Sequence, residues 1–159
     1  MKNLLKYVVV ILLAISVASC GKKDNTDADS AGNGYSYKGK KIKTNKAEYL
    51  LADDDVYLFF SNTASVDDFL QIRFAKNSLN TIKAGTTYTL NLDRNTAFNP
   101  QLHFWGGSVT AANPLNAEFE SGTVTVSEIS TSKIKINYAL KTENGDEVKG
   151  AYDGNMVKR

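Results

Sequence analysis

An all-β fold is what this sequence predicts, and three observations predict it. From Gly34 onward apolar and polar residues alternate. Side chains on a strand point to opposite faces in turn, so such segments bury one face and wet the other. Turn-forming residues interrupt these segments at intervals of about 8–12 residues, the spacing of strands in sandwiches and barrels. No stretch keeps a 3.6-residue apolar period over a helical length.

Taken in order, Tyr37-Lys38-Gly39-Lys40-Lys41-Ile42 predicts a tight hairpin bending at Gly39. Val56-Tyr57-Leu58-Phe59-Phe60 is apolar throughout and predicts a central strand covered on both sides. Ser65 to Phe69 predicts a short helical turn. Leu70-Gln71-Ile72-Arg73-Phe74, Tyr88-Thr89-Leu90-Asn91-Leu92 and Leu102-His103-Phe104 each alternate, which places Leu102 and Phe104 in the core. Thr123–Val126, Lys133–Lys141 and Glu147–Tyr152 predict a three-stranded antiparallel meander, with Asn144-Gly145 turning the last hairpin because that pair tolerates positive φ. Both prolines, Pro100 and Pro114, follow Asn in turn contexts. The whole fits a single antiparallel β-sandwich or a calycin-like barrel, with the sandwich favoured.

The start of the chain is different in kind. Lys2 and Lys6 precede an apolar run from Tyr7 to Ile15, which ends in Ser16-Val17-Ala18-Ser19-Cys20. A basic start, a short apolar core and small residues describe a secretory signal peptide. The run is shorter than the roughly 20 residues a membrane-spanning helix needs. Val17-Ala18-Ser19-Cys20 resembles the bacterial lipobox, and Cys20 is the chain's only cysteine. The resemblance implies cleavage before Cys20, a diacylglyceryl group on its sulfur and a fatty acyl chain, typically palmitate, on its amine. One acyl chain anchors marginally and two or more anchor firmly. Gly21 to Asn33 has no large apolar residue and is rich in Gly, Ser, Asn and Asp, which marks a linker. The division expected is therefore residues 1–19 signal peptide, 20–33 lipidated cysteine and linker, and 34–159 an all-β domain.

Lys and Arg number 19 against 17 Asp and Glu. The surplus is Lys2 and Lys6, so the chain from Cys20 is formally neutral and gives no reason to expect a nucleic-acid partner.

Tyr35-x-Tyr37-x-Gly39-Lys40, Phe69-Leu70-Gln71-Ile72-Arg73-Phe74, Ser121-Gly122-Thr123-Val124-Thr125-Val126 and the closing Val148-Lys149-Gly150-Ala151-Tyr152-Asp153-Gly154 are similar to segments of small Bacteroidota cell-envelope lipoproteins. That resemblance implies a β-sandwich domain of unknown function lipid-anchored at the outer membrane, and it supplies no catalytic residue. Lys22-Lys23-Asp24 after the cysteine partly resembles the surface-export signal of such proteins, so the expected display is periplasmic or outward.

Little chemistry is legible. One His and one Cys exclude multi-His and Cys-cluster metal sites. No Gly-x-Ser-x-Gly elbow accompanies the histidine. Asp53-Asp54-Asp55 with Asp67-Asp68 offers oxygen ligands for calcium but lacks EF-hand spacing. Glu118 and Glu120 share a strand side and are a candidate acidic pair for glycoside hydrolysis. Gln101, His103 and Trp105 alternate and form the candidate ligand patch: an aromatic wall with polar neighbours suits a sugar ring. Lys38, Lys40, Lys41, Lys43 and Lys46, with no acid between Gly34 and Ala47, suit an edge guarded against strand pairing, or contact with anionic headgroups. The function expected is a membrane-anchored binding module for a glycan or envelope protein, not an enzyme, with no cofactor. A carboxylate-dependent hydrolase and a structural accessory of an envelope complex are the alternatives.

Overall fold

The computed structural model describes residues 32–94, 97–111 and 116–159. Cys20, the leader, most of the linker and Pro114 lie outside the described residues. Eleven strands follow in order: β1 (Gly34–Tyr37), β2 (Lys40–Lys43), β3 (Lys46–Ala52), β4 (Asp55–Asn62), β5 (Ser65–Ala75), β6 (Thr86–Leu90), β7 (His103–Phe104), β8 (Gly106–Thr110), β9 (Ala117–Ile129), β10 (Lys133–Thr142) and β11 (Glu147–Lys158). The only helical element among the described residues is a 3-10 turn at Leu79–Thr81, capped by the Ser78 side chain.

The expected hairpins form. Lys38 and Gly39 both take positive φ (49° and 74°), the backbone that matches the twist of paired strands. At the β10–β11 hairpin the Gly145 N–H donates to the Thr142 carbonyl and Gly145 alone takes positive φ, 81°. Asn144 therefore sits inside a type I turn and glycine carries the left-handed residue. Two expectations are corrected. Ser65 to Phe69 begins strand β5, where Phe69 pairs with Ser61 and Thr110. Leu102 is 54% exposed, because a turn bonded to the Asn99 carbonyl ends there and leaves a strand of only two residues.

The hydrogen-bonded ladder closes on itself through β11, β3, β4, β5, β8, β9 and β10. It divides between two sheets. One runs β2-β1-β11-β10-β9-β6-β7, the other β11-β3-β4-β5-β8-β9, so the long strands β9 and β11 belong to both. Not every pairing is antiparallel: Met156–Lys158 of β11 runs parallel to Ala47–Tyr49 of β3, and β6 runs parallel to β7.

The inward faces meet in one core. The first sheet contributes Tyr35, Tyr88, Phe104, Ile134, Ile136, Tyr138 and Tyr152, and the second Val56, Leu58, Phe60, Leu70, Ile72 and Phe74. Ring edges and faces meet at Phe74–Tyr88 (5.0 Å, near perpendicular) and Phe60–Tyr152 (5.5 Å). Strong burial of this kind contributes about 1.5–3 kcal/mol per large side chain. The outward faces of the two sheets lie on opposite sides of that core.

Candidate binding face

Strand β4 was expected to be covered on both sides. Its even-numbered residues, Val56, Leu58 and Phe60, are fully buried, while Tyr57 and Phe59 are half-buried on the outer face. What covers them is a row of side chains rather than another sheet. The β4–β5 register sets Tyr57 opposite Arg73, and the Trp105 N–H bonds to the Arg73 carbonyl. The Arg73 guanidinium carbon consequently lies 4.9 Å from the Tyr57 ring centre and 4.3 Å from that of Trp105. Arg94, from the segment after β6, lies 4.7 Å from the same indole. At the other end Tyr57 stacks on Phe59 at 6.4 Å, and Arg159 lies 4.7 Å over Phe59. Cations and rings thus form a ladder across the sheet: Arg159, Phe59, Tyr57, Arg73, Trp105, Arg94.

Beneath its Trp105 end lies Asp55, only 2% exposed. The Trp105 Nε1–H donates to its Oδ1 at 3.1 Å, and an Arg94 Nη1 stands 3.6 Å from the same oxygen. Burial raises the Asp55 pKa above its ordinary value; the Trp105 hydrogen bond and the charges of Arg94 and Arg73 oppose that shift. The Arg73 Nε has no hydrogen-bond partner among the described residues, and its guanidinium packs on the Tyr57 and Trp105 rings.

The other candidates fall differently. His103 accepts the Asn99 N–H at Nδ1 (3.0 Å) and packs on Phe98 (5.6 Å between ring centres). A neutral imidazole accepting at Nδ1 carries its proton on Nε2. Gln101 is exposed and its N–H bonds to the Asn99 side chain in the preceding turn. His103 and Gln101 bond to Asn99, and His103 pairs with Thr89 of β6, whereas the partners of Trp105 are Asp55, Arg73 and Arg94. The three are neighbours in sequence, but their hydrogen bonds and ring contacts among the described residues go to different side chains.

Asp53 and Asp54 form the β3–β4 turn with φ of 51° and 63°, and Asp55 belongs to the tryptophan. No group of three His, Cys, Asp or Glu side chains placed to hold a metal occurs among the described residues. Glu118 and Glu120 are both exposed on β9. Sequence reasoning missed Arg73, Arg94, Tyr57 and Asp55 as companions of Trp105. Two clefts, of about 460 and 320 Å³, open outward elsewhere: one lined by Asn45, Thr63, Tyr152 and Asn155, the other by Ile82, Lys83 and Ile129.

No family model, curated protein or solved structure matches the chain.

Proposed function

We propose that this protein is a cell-envelope lipoprotein of the Bacteroidota type, held at the outer membrane through acylated Cys20, whose all-β body binds a glycan or an envelope protein. The observation that carries this is the motif Val17-Ala18-Ser19-Cys20: the sole cysteine stands where a lipobox requires it, after a short apolar leader. We also read the closed ladder as a flattened calycin-like barrel whose corners are β9 and β11. Its interior is occupied by Phe60, Phe74, Tyr88, Phe104 and Phe119, which favours a ligand on the outside.

The contact face is the Trp105 ladder. Two guanidinium groups against the indole occupy its π surface, so a sugar is held by hydrogen bonds from Arg94 and Arg73 at the edge of the ring. Arg94, with its side chain 44% exposed, is the member a ligand reaches first. Gln101 and His103 belong to the contact patch only if the ligand extends over the 91–103 segment.

Affinity electrophoresis in gels containing defined glycans tests the contact face. Arg94→Gln and Trp105→Ala, each with native far-UV circular dichroism, are expected to lose retardation. Unchanged retardation removes the ladder from the account. Turnover of the same glycans would replace the binding module with a hydrolase.

A further inference from the structure

The Trp105 ladder leaves hydrogen-bond donors unmet. A guanidinium carries five N–H donors and no acceptor. Arg73 and Arg94 lie 4.3 and 4.7 Å from the same indole centre, and both act on one buried carboxylate, Asp55. Its Oδ1 already accepts the Trp105 Nε1–H, and the Arg94 Nη1 stops 3.6 Å from that oxygen, an ion pair longer than a hydrogen bond. The Arg73 Nε has no partner among the described residues. Asp54 and Asp93 adjoin Asp55 and Arg94 in the chain, so it is these unmet donors, rather than a surplus of charge, that require an acceptor.

Open space adjoins them. The β5–β8 register sets Arg73 opposite Gly106 on the outward parity, since the next pair, Ile72 with Gly107, faces the core. A Cβ at Gly107 would press on the Phe119 ring at 3.0 Å, so that glycine serves the packing of the interior. A Cβ at Gly106 would meet no atom within 4 Å apart from those of its chain neighbours. Glycine weakens a strand and often marks a place where a ligand comes close. Gln71, the next outward residue of β5, is half-buried beside Arg73 and opposite Phe59. Room beside a guanidinium, with an indole and an amide as neighbours, is therefore built into the outer face of the sheet.

We propose that the glycan of the Trp105 ladder is an acidic one, a uronate whose carboxylate accepts hydrogen bonds from Arg94 and Arg73 in the space beside Gly106. The proposal rests on the glycan-binding reading and adds to it the class of sugar. A carboxylate has two oxygens with about four lone-pair sites, enough to fill the fork of one guanidinium and still reach a second. A neutral sugar offers single hydroxyls, which leave such forks half used. The rings already hold both guanidiniums, so little side-chain freedom is lost when the anion arrives. Asp55 is a positioning residue here: buried, it orients the indole and draws Arg94 toward it without touching the sugar.

Titration calorimetry of the full chain in neutral detergent, with trigalacturonate and its fully methyl-esterified form, tests this. The two sugars share every hydroxyl and differ only in the charge of the carboxyl group. The acid is expected to bind at least about tenfold tighter than the ester, and to weaken with salt. Arg94→Gln, at a side chain 44% exposed, is expected to weaken the acid about tenfold to a hundredfold and the ester less than about twofold. Arg94→Lys should recover only part of the loss, because an ammonium lacks the planar fork. Gly106→Val changes no charge and is expected to weaken the acid while far-UV circular dichroism stays native. Equal affinity for acid and ester, both lost in Trp105→Ala, overturns the acidic assignment and leaves the glycan-binding reading standing. Acid binding untouched by Arg94→Gln and Gly106→Val overturns it too, since the sugar then sits elsewhere. Sulfated maltotriose bound as tightly as the uronate would show that charge alone is read, and would overturn the carboxylate. Binding of none of these sugars overturns the proposal, whereas the glycan-binding reading falls only if the wider set of glycans also fails to retard the protein.

Discussion

Replacing Trp105 by Phe removes one hydrogen-bond donor and keeps an aromatic ring against Arg73 and Arg94. The Asp55 carboxylate it leaves is 2% exposed, so water cannot replace the lost N–H. A buried acceptor stripped of its partner costs about 1–3 kcal/mol. Arg94 at 3.6 Å compensates in part, which places the expected loss near 2 kcal/mol. For a domain of this size that is a fall in Tm of roughly 6–12 °C. In an Asp55→Asn background the acceptor is neutral, and the same Trp105→Phe change should cost only about 0.5–1 kcal/mol. Urea unfolding followed by far-UV circular dichroism gives all four corners of this double-mutant cycle, and the fluorescence of Trp105 is not needed. A cost for Trp105→Phe that is the same with Asp and with Asn at position 55 would refute the charged hydrogen bond as the support of the ladder.

Titration gives a second handle on Asp55. Because its folded pKa is raised above the ordinary 3.8, the folded state holds the proton more tightly than the unfolded chain, and stability drains away as pH climbs from 3.8 through the folded value. Wild type should therefore lose ground against Asp55→Asn across that window, as measured by urea midpoints; a difference that does not vary with pH would contradict the burial. Gly150→Ala should cost about 3 kcal/mol or more, since a Cβ there would stand 2.2 Å from the Gly34 carbonyl oxygen and 2.7 Å from the Tyr35 Cα, both backbone atoms that cannot swing aside. Thermal denaturation within 1 kcal/mol of wild type, by the scale above, would show that β1 and β11 are not so close. Met156→Ala, at the parallel seam closing the ladder, should cost about 2–5 kcal/mol and raise amide exchange in Ala47–Tyr49 above that in β10. Uniform exchange across the sheets would mean that the seam is not a separate point of weakness.

The turns were the most legible part of the fold. Gly39 and Gly145 stand where positive φ is needed, and the long alternating run from Ile134 to Leu140 could only be a half-buried strand. Ser65 to Phe69 misled because adjacent Asp67 and Asp68 interrupt the alternation, although cross-strand bonds to β4 and β8 hold the segment extended. Leu102 misled because three alternating residues are too few to distinguish a strand from the end of a turn. The ladder was half visible: Tyr57 and Phe59 are aromatic on the parity of β4 that should face water, an anomaly that asks what covers them. The answer, Arg73, follows from folding β4 onto β5 about the turn at Thr63. Arg94 and Arg159 come from segments distant in sequence, and nothing local brings them to the rings. Closure of the ladder by three parallel residues at the end of β11 was likewise invisible, since parallel pairing has no turn to announce it.

Mass spectrometry of the protein recovered from envelopes of a lipoprotein-processing bacterium bears most directly on the account. The expected product starts at Cys20 and carries a thioether-linked diacylglyceryl group, with a further acyl chain on its amine. A free thiol at Cys20, or a product that still holds residues 1–19, would contradict it.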